Sequence, residues 1–164
     1  MENQGPSERR KPIIMISSPY GFSDQWKTLL LPKFVSILQE MGAEVWECFE
    51  RCKDVDFTDK NWEYVIAYRD MDDVINCDAL FVILNGVPPD EGCMIELGAA
   101  IALKKPYFLF RDDVRKCTDG TKYPLNCMIF TGLPCDSWEE HYYTLFEDIS
   151  NPEKALAKWI ATFS

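Results

Sequence analysis

Apolar positions along this chain fall into two patterns. Residues 13–17, IIMIS, are apolar almost without interruption and run into Ser-Pro-Tyr-Gly, which predicts a strand buried on both faces and ending in a tight loop. From Asp24 to Met41 the apolar residues recur at helical spacing, with Pro32 as a kink or restart and Gly42 as the C-terminal stop. AEVWEC predicts a second strand, and the amphipathic stretch 59–77 a second long helix. ALFVILNG, residues 79–86, reads as a third buried strand, followed by a loop and a helix within NGVPPDEGCMIELGAAIALKKP. PYFLF predicts a fourth strand and LNCMIF, after a loop from Arg111 to Tyr123, a short fifth. Two closing helices are expected, Ser137 to about Asp148 and Pro152 to Phe163.

Strands apolar on both faces that alternate with helices imply a parallel sheet covered on both sides, an α/β architecture. Ligands of such sheets bind outside the carboxyl ends of the strands, where the strand order reverses. The loops after strands one, three and five, SSPYGFSD, NGVPPDEG with its Gly86, and the segment around NCM, are therefore the expected site.

One domain spanning 13–164, preceded by a loose polar arm over 1–12, accounts for the length of 164 residues. No run approaches the roughly 18 apolar residues of a membrane span, and the polar start lacks the apolar stretch of a secretory signal, so a cytoplasmic, membrane-free protein is expected. A formal charge of −10 argues against a nucleic-acid polymer as partner, since that needs a basic stripe. Seven scattered cysteines with a single histidine, His141, predict neither a disulfide framework nor a metal site. Neither G-x-G-x-x-G nor a Walker loop is present.

The helix after the third strand poses the chemical question. It is apolar or small on nearly every side, yet it carries Glu96, and no lysine or arginine lies three or four residues away. A lone carboxylate in such a helix costs several kcal/mol unless it is paired or reaches a polar cavity. Glu96 therefore either meets a distant base or water, or faces a ligand pocket. Asp90 suits a helix cap, but its six-residue spacing from Glu96 also lets both acids border one cavity, the geometry for two-carboxylate work at a sugar carbon. Asp78, at the entry to the third strand, is either a third acid or a turn residue. Tyr20 and Phe22 flank the first loop, as packing or as a platform for a flat ligand.

The stretch CDALFVILNGVPPDEGCMIELGAAIALKKPYFLFRDDVR, with Asp90 and five intervening residues ahead of Glu96-Leu97-Gly98 and Asn126-Cys127-Met128 after it, resembles the nucleoside 2-deoxyribosyltransferase family over residues 13 to about 130. The resemblance implies a flavodoxin-like three-layer sandwich with a doubly wound, mostly parallel five-stranded sheet. It implies an enzyme needing no cofactor that exchanges the base of a 2-deoxyribonucleoside with a free nucleobase. Glu96 would be the nucleophile, and Asp90 and Asp78 the acids that hold the base and protonate it. Ser18, Tyr20, Phe22 and Gly86 would contact substrate. Asn126 and Met128 would be lent to a neighbouring subunit, making a homodimer or higher oligomer. The family's polar base contact after the second strand has no match in WECFERC. Two rivals share the fold: a hydrolase of deoxynucleosides or their monophosphates, which would need phosphate donors such as Ser17, Ser18 and Ser23, and a non-catalytic nucleotide sensor.

Overall fold

The computed structural model describes residues 10–163; of the expected arm, residues 1–9 lie outside that range. Five parallel strands form one sheet in the order β2-β1-β3-β4-β5: β1 (Ile13–Ser17), β2 (Glu44–Glu47), β3 (Ala79–Ile83), β4 (Tyr107–Phe110) and β5 (Tyr142–Tyr143). Side chains alternate across the pleat and build two cores. Ile14, Ile16, Phe81, Ile83, Phe108 and Phe110 face α1 (Leu31–Glu40) and the C-terminal helices α5 (Phe146–Ile149) and α6 (Ala155–Ala161). Met15, Leu80, Val82, Tyr107 and Leu109 face α3 (Trp62–Asn76) and α4 (Glu91–Ala102). The result is the expected α/β sandwich of three layers with a doubly wound sheet, here parallel throughout.

Most elements sit where the apolar pattern places them. Pro32 is absorbed because the helix from Asp24 opens its turns to π geometry over Trp26–Leu30 before α1 begins. Gly42 ends that region at φ +100, a left-handed conformation that disfavours a side chain.

The C-terminal third departs from expectation. LNCMIF is not a strand: Cys127–Phe130 is a single 3-10 turn whose start is capped by the Asn126 side chain, which accepts from the Met128 amide at 3.0 Å. Its apolar residues serve as plugs, with Leu125, Ile129 and Phe130 buried and Met128 exposed. The expected helix from Ser137 to Asp148 is split into a 3-10 turn at Trp138–His141, the two-residue β5, and α5. The two adjacent tyrosines prefer extended backbone, and Tyr143 is fully buried, its hydroxyl accepting from the Leu156 amide at 2.9 Å.

Two ties fix the elements around the crevice between β1 and β3, where the strand order reverses. The Arg51 guanidinium at the end of α2 (Cys48–Arg51) binds both oxygens of Asp73 on α3, at 2.7 and 2.5 Å, and lies over the Trp46 ring. Behind the β3–α4 loop, Arg111 is fully buried and donates to the carbonyls of Leu84, Gly86 (2.9 Å) and Arg115 (2.7 Å). Asn85 links the same two loops by accepting from the amides of Asp112 and Asp113. Arg111→Met would leave three carbonyl oxygens without their donor. We expect it to lower unfolding stability by about 3 kcal/mol, read as a fall in the urea midpoint. An unchanged midpoint would mean that the loops are held by their own backbone.

Candidate active site

A cavity of about 640 Å³ opens at the carboxyl end of the sheet, between the β1 loop, α2 and its following loop, α3 and the start of α4. Glu96 reaches it because of how α4 is seated. Asp90 caps the helix, its carboxylate accepting from the Cys93 amide at 3.0 Å, and Cys93, Leu97 and Ala100 bury the adjoining face of the helix. The second turn thereby presents Glu96 at the crevice, where the Ser17 hydroxyl, at the last residue of β1, donates to its carboxylate.

No ion pair reaches Glu96 among the described residues, so the distant-base alternative is excluded there. Burial pushes its carboxyl up to about 7; the Ser17 hydrogen bond opposes this, while the charges of Asp70 and Asp90 add to it. Desolvation outweighs any help that the donors at the amino end of α4 give the ionised form.

Asp90 borders the same cavity, as its spacing from Glu96 suggests. Asp78 does not. It lies at the amino end of β3, where its carboxylate accepts from the Ile13 amide at 2.7 Å and pairs with Arg10 at 2.7 Å. A five-residue strand is about 16 Å long, so Asp78 is separated from the crevice by the depth of the sheet. The third acid is instead Asp70. It projects from α3 into the cavity, and its Oδ1 is buried with no hydrogen-bond partner among the described residues. Burial, then the charges of Asp73 and Glu47, push it up to about 6. The sequence hides this residue among the acids of RDMDD; the available signal was that Trp62, Ile66 and Asp70 fall at i, i+4 and i+8 on one face.

The first loop contributes unevenly. Ser18 lines the cavity while its hydroxyl accepts from the Tyr20 amide at 3.0 Å. Tyr20 is no stacking platform: it is buried against Trp26 and Phe34, and its hydroxyl accepts from the Asn85 side chain at 2.6 Å. Phe22 is 79% exposed at the mouth, edge-on to Phe49. The Phe49 ring passes so close to Gly21 that a Cβ there would overlap it. Gly86 lies outside the cavity lining; with φ +114 it turns the loop, and its amide donates to Asp113. Glu47, the last residue of β2, is spent on capping α2 through the Phe49 and Glu50 amides. Asn126 and Met128 do not reach their own chain's cavity. They line a separate groove of about 380 Å³ beside Met94, Gly98 and Ile101 of α4.

Other nucleophiles in the cavity are poor. Burial pushes the Cys48 and Cys93 thiols far above their ordinary range, so neither supplies a thiolate near neutral pH. Among the described residues no three His, Cys, Asp or Glu side chains are grouped to hold a metal ion, all seven cysteines are free, and no helix is long and apolar enough to cross a membrane. What the arrangement offers is three carboxyl groups at one end of a mainly apolar chamber, with two of them held near the ionisation midpoint at physiological pH. One can remain an anion while another keeps its proton, the division of labour that glycosidic cleavage needs.

Comparison with known proteins agrees with that chemistry. No curated protein matches the chain in sequence. The solved 2-deoxyribosyltransferase of Bacillus psychrosaccharolyticus is 26% identical, with a TM-score of 0.64 over 85% of this chain and 90% of that one. The Leishmania mexicana 2-deoxyribosyltransferase (19% identical, TM-score 0.63, covering 92% and 97%) and a conserved protein of Enterococcus faecalis (18%, 0.66, covering 93% and 99%) share the fold. Residues 14–128 match the family model for nucleoside 2-deoxyribosyltransferase, and the chain belongs to that family.

Proposed function

We propose that this protein exchanges the base of 2-deoxyribonucleosides through a covalent deoxyribosyl ester on Glu96. The observation that carries the reading is a half-buried carboxylate, held only by Ser17 among the described residues, facing a substrate-sized cavity beside two further acids. A Glu96 oxygen attacks the anomeric carbon. The C–N bond breaks, its electron pair passes to the base, and the base takes a proton from Asp70. A second base then gives its ring N–H proton to Asp70, attacks the same carbon from the vacated side and releases Glu96, so configuration is retained overall. Positive charge develops on the sugar ring as the first bond breaks, and the Glu96 anion stabilises it across a short distance in a site with little water. Asp70 can hold a proton near neutrality for the reason that raises it, burial without a partner. Asp90 serves as helix cap and as an acceptor at the base edge.

The reading includes an assembly of identical chains. Asn126, and Met128, which is 70% exposed, would close the sugar side of a neighbour's cavity, since they are turned away from their own. Hydrolysis of a monophosphate fits less well. Ser17 spends its hydroxyl proton on Glu96, which leaves only the Ser18 and Ser23 hydroxyls, each already accepting from a backbone amide, as serine donors for a phosphate in the first loop.

The test is to incubate the protein with thymidine and free adenine and to look for 2-deoxyadenosine by chromatography. Formation of the new nucleoside is expected. Free base and free sugar without exchange would convert the reading to a hydrolase, and no turnover of nucleoside or monophosphate would leave a binding module.

A further inference from the structure

The cavity is longer than the chemistry at its acid end requires. Along α3 its wall is formed by Asp70, then Ala67 and Ile66, then Glu63 and Trp62. Eight residues of helix separate Asp70 from Trp62, about 12 Å at 1.5 Å per residue. The carboxyl groups cluster at the Asp70 end with Glu96 and Asp90. Beyond them the lining is mainly apolar, with Ile66, Cys52, Phe49, Phe57 and Trp62 interrupted by two lysines and Glu63. The mouth there is framed by two aromatic pairs, Phe22 on Phe49 (5.4 Å between centroids) and Phe57 on Trp62 (5.2 Å). Phe22 and Phe57 are left 79% and 61% exposed.

Resting on the base-exchange reading, a nucleoside with its anomeric carbon at Glu96 and its base edge against Asp70 fills the acid end and leaves the aromatic end open. We propose that this aromatic end is a subsite for an uncharged, apolar substituent carried on the edge of the base remote from the sugar. The charges nearby do not select an ion. Lys53 is held by Glu50, Lys27 lies over the Phe49 ring, and Glu63 is exposed, so a charged substituent would find no buried partner. An aryl or alkyl group would instead remove the exposed faces of Phe57 and Trp62 from water. Bases bearing such groups then become the preferred substrates, with the unsubstituted bases accepted more weakly.

Calorimetric binding of adenine against N6-benzyladenine, and of uracil against 5-phenyluracil, reads the subsite without requiring turnover. The expected result is at least tenfold tighter binding of the substituted member of one pair. Phe57→Ala, a loop change, and Trp62→Ala should each remove most of that advantage and leave the unsubstituted base bound as before. Equal or weaker binding of both substituted bases, or an advantage that survives both variants, would overturn the subsite. The thymidine–adenine exchange assay run alongside separates the two ideas: exchange without a substituent advantage removes only the subsite, and a substituent advantage without exchange removes only the transferase.

Discussion

Glu96→Gln should abolish base exchange, with kcat/KM falling on the order of 10⁴-fold or more, and should at the same time stabilise the protein above neutral pH. The two effects have one origin. Glutamine keeps the shape and can accept the Ser17 hydroxyl, but it cannot form the ester, so the step that splits one difficult displacement into two is lost. The stability change follows from the raised carboxyl. Glu96 sits near 4.5 in the unfolded chain and at about 7 in the folded one. The native state therefore binds this proton more tightly than the unfolded state does. That preference favours folding fully below about 4.5 and is lost progressively as the pH climbs to 7. Above that the wild type carries a penalty of about 3 kcal/mol, which glutamine removes. Thermal melts of both proteins at pH 4 and pH 8 check the sign: coincident at pH 4, several degrees higher for the variant at pH 8. Mass spectrometry of a quenched wild-type reaction should find one deoxyribosyl unit on the peptide containing Glu96 and none on the variant. A variant that retains exchange, or that melts below wild type at pH 8, would place Glu96 in a structural role.

Asp70→Asn should cost about 10² to 10⁴ in kcat/KM and reshape the pH profile. In the wild type the reaction needs an ionised Glu96, near 7, and a protonated Asp70, near 6. The product of those two populations is a bell with its optimum between pH 6 and 7, and its flanks belong to the interacting pair. Asparagine removes the alkaline fall, because no proton remains to be lost. The acid flank then belongs to Glu96 alone and should move to higher pH, because in the wild type the first proton lost is shared between the two acids. Both displacements are readable from kcat/KM across pH 4.5–8.5. A merely structural Asp70 would lower activity without shifting either flank.

Asp70 also marks what the sequence concealed. Glu96 and Asp90 could be inferred because a carboxylate stands out in an apolar helix and because both acids lie on one local segment. Asp70 lies in a run of charged residues, and only the packing of α3 across from α2, fixed by Arg51 and Asp73 from different elements, turns one of those acids inward. Asp78 misled for the complementary reason. Adjacency to β3 says nothing about which end of the strand a residue occupies, and the crevice is at the other end. Strands β1, β3 and β4 were legible because each is buried on both faces, whereas β2 at the sheet margin is only partly buried. The fifth was not: β5 is two tyrosines at the sheet margin, chosen by long-range burial of Tyr143, while the more strand-like run LNCMIF turns inward as a plug. Tyr20 shows the same limit at one residue, its partners Phe34 and Asn85 lying 14 and 65 positions away.

The shortness of β5 has a bearing on how copies of this chain can meet. Open sheets invite further strands at their margins, and proteins resist this by keeping marginal strands brief or charged. Here one margin offers two residues, and the other, β2, begins and ends with glutamates. Neither edge is a good template for an added strand. Self-association must therefore be built from helices and loops, and a crowded solution of this protein is guarded against growth into cross-strand aggregates by the same feature that made its last strand hard to find.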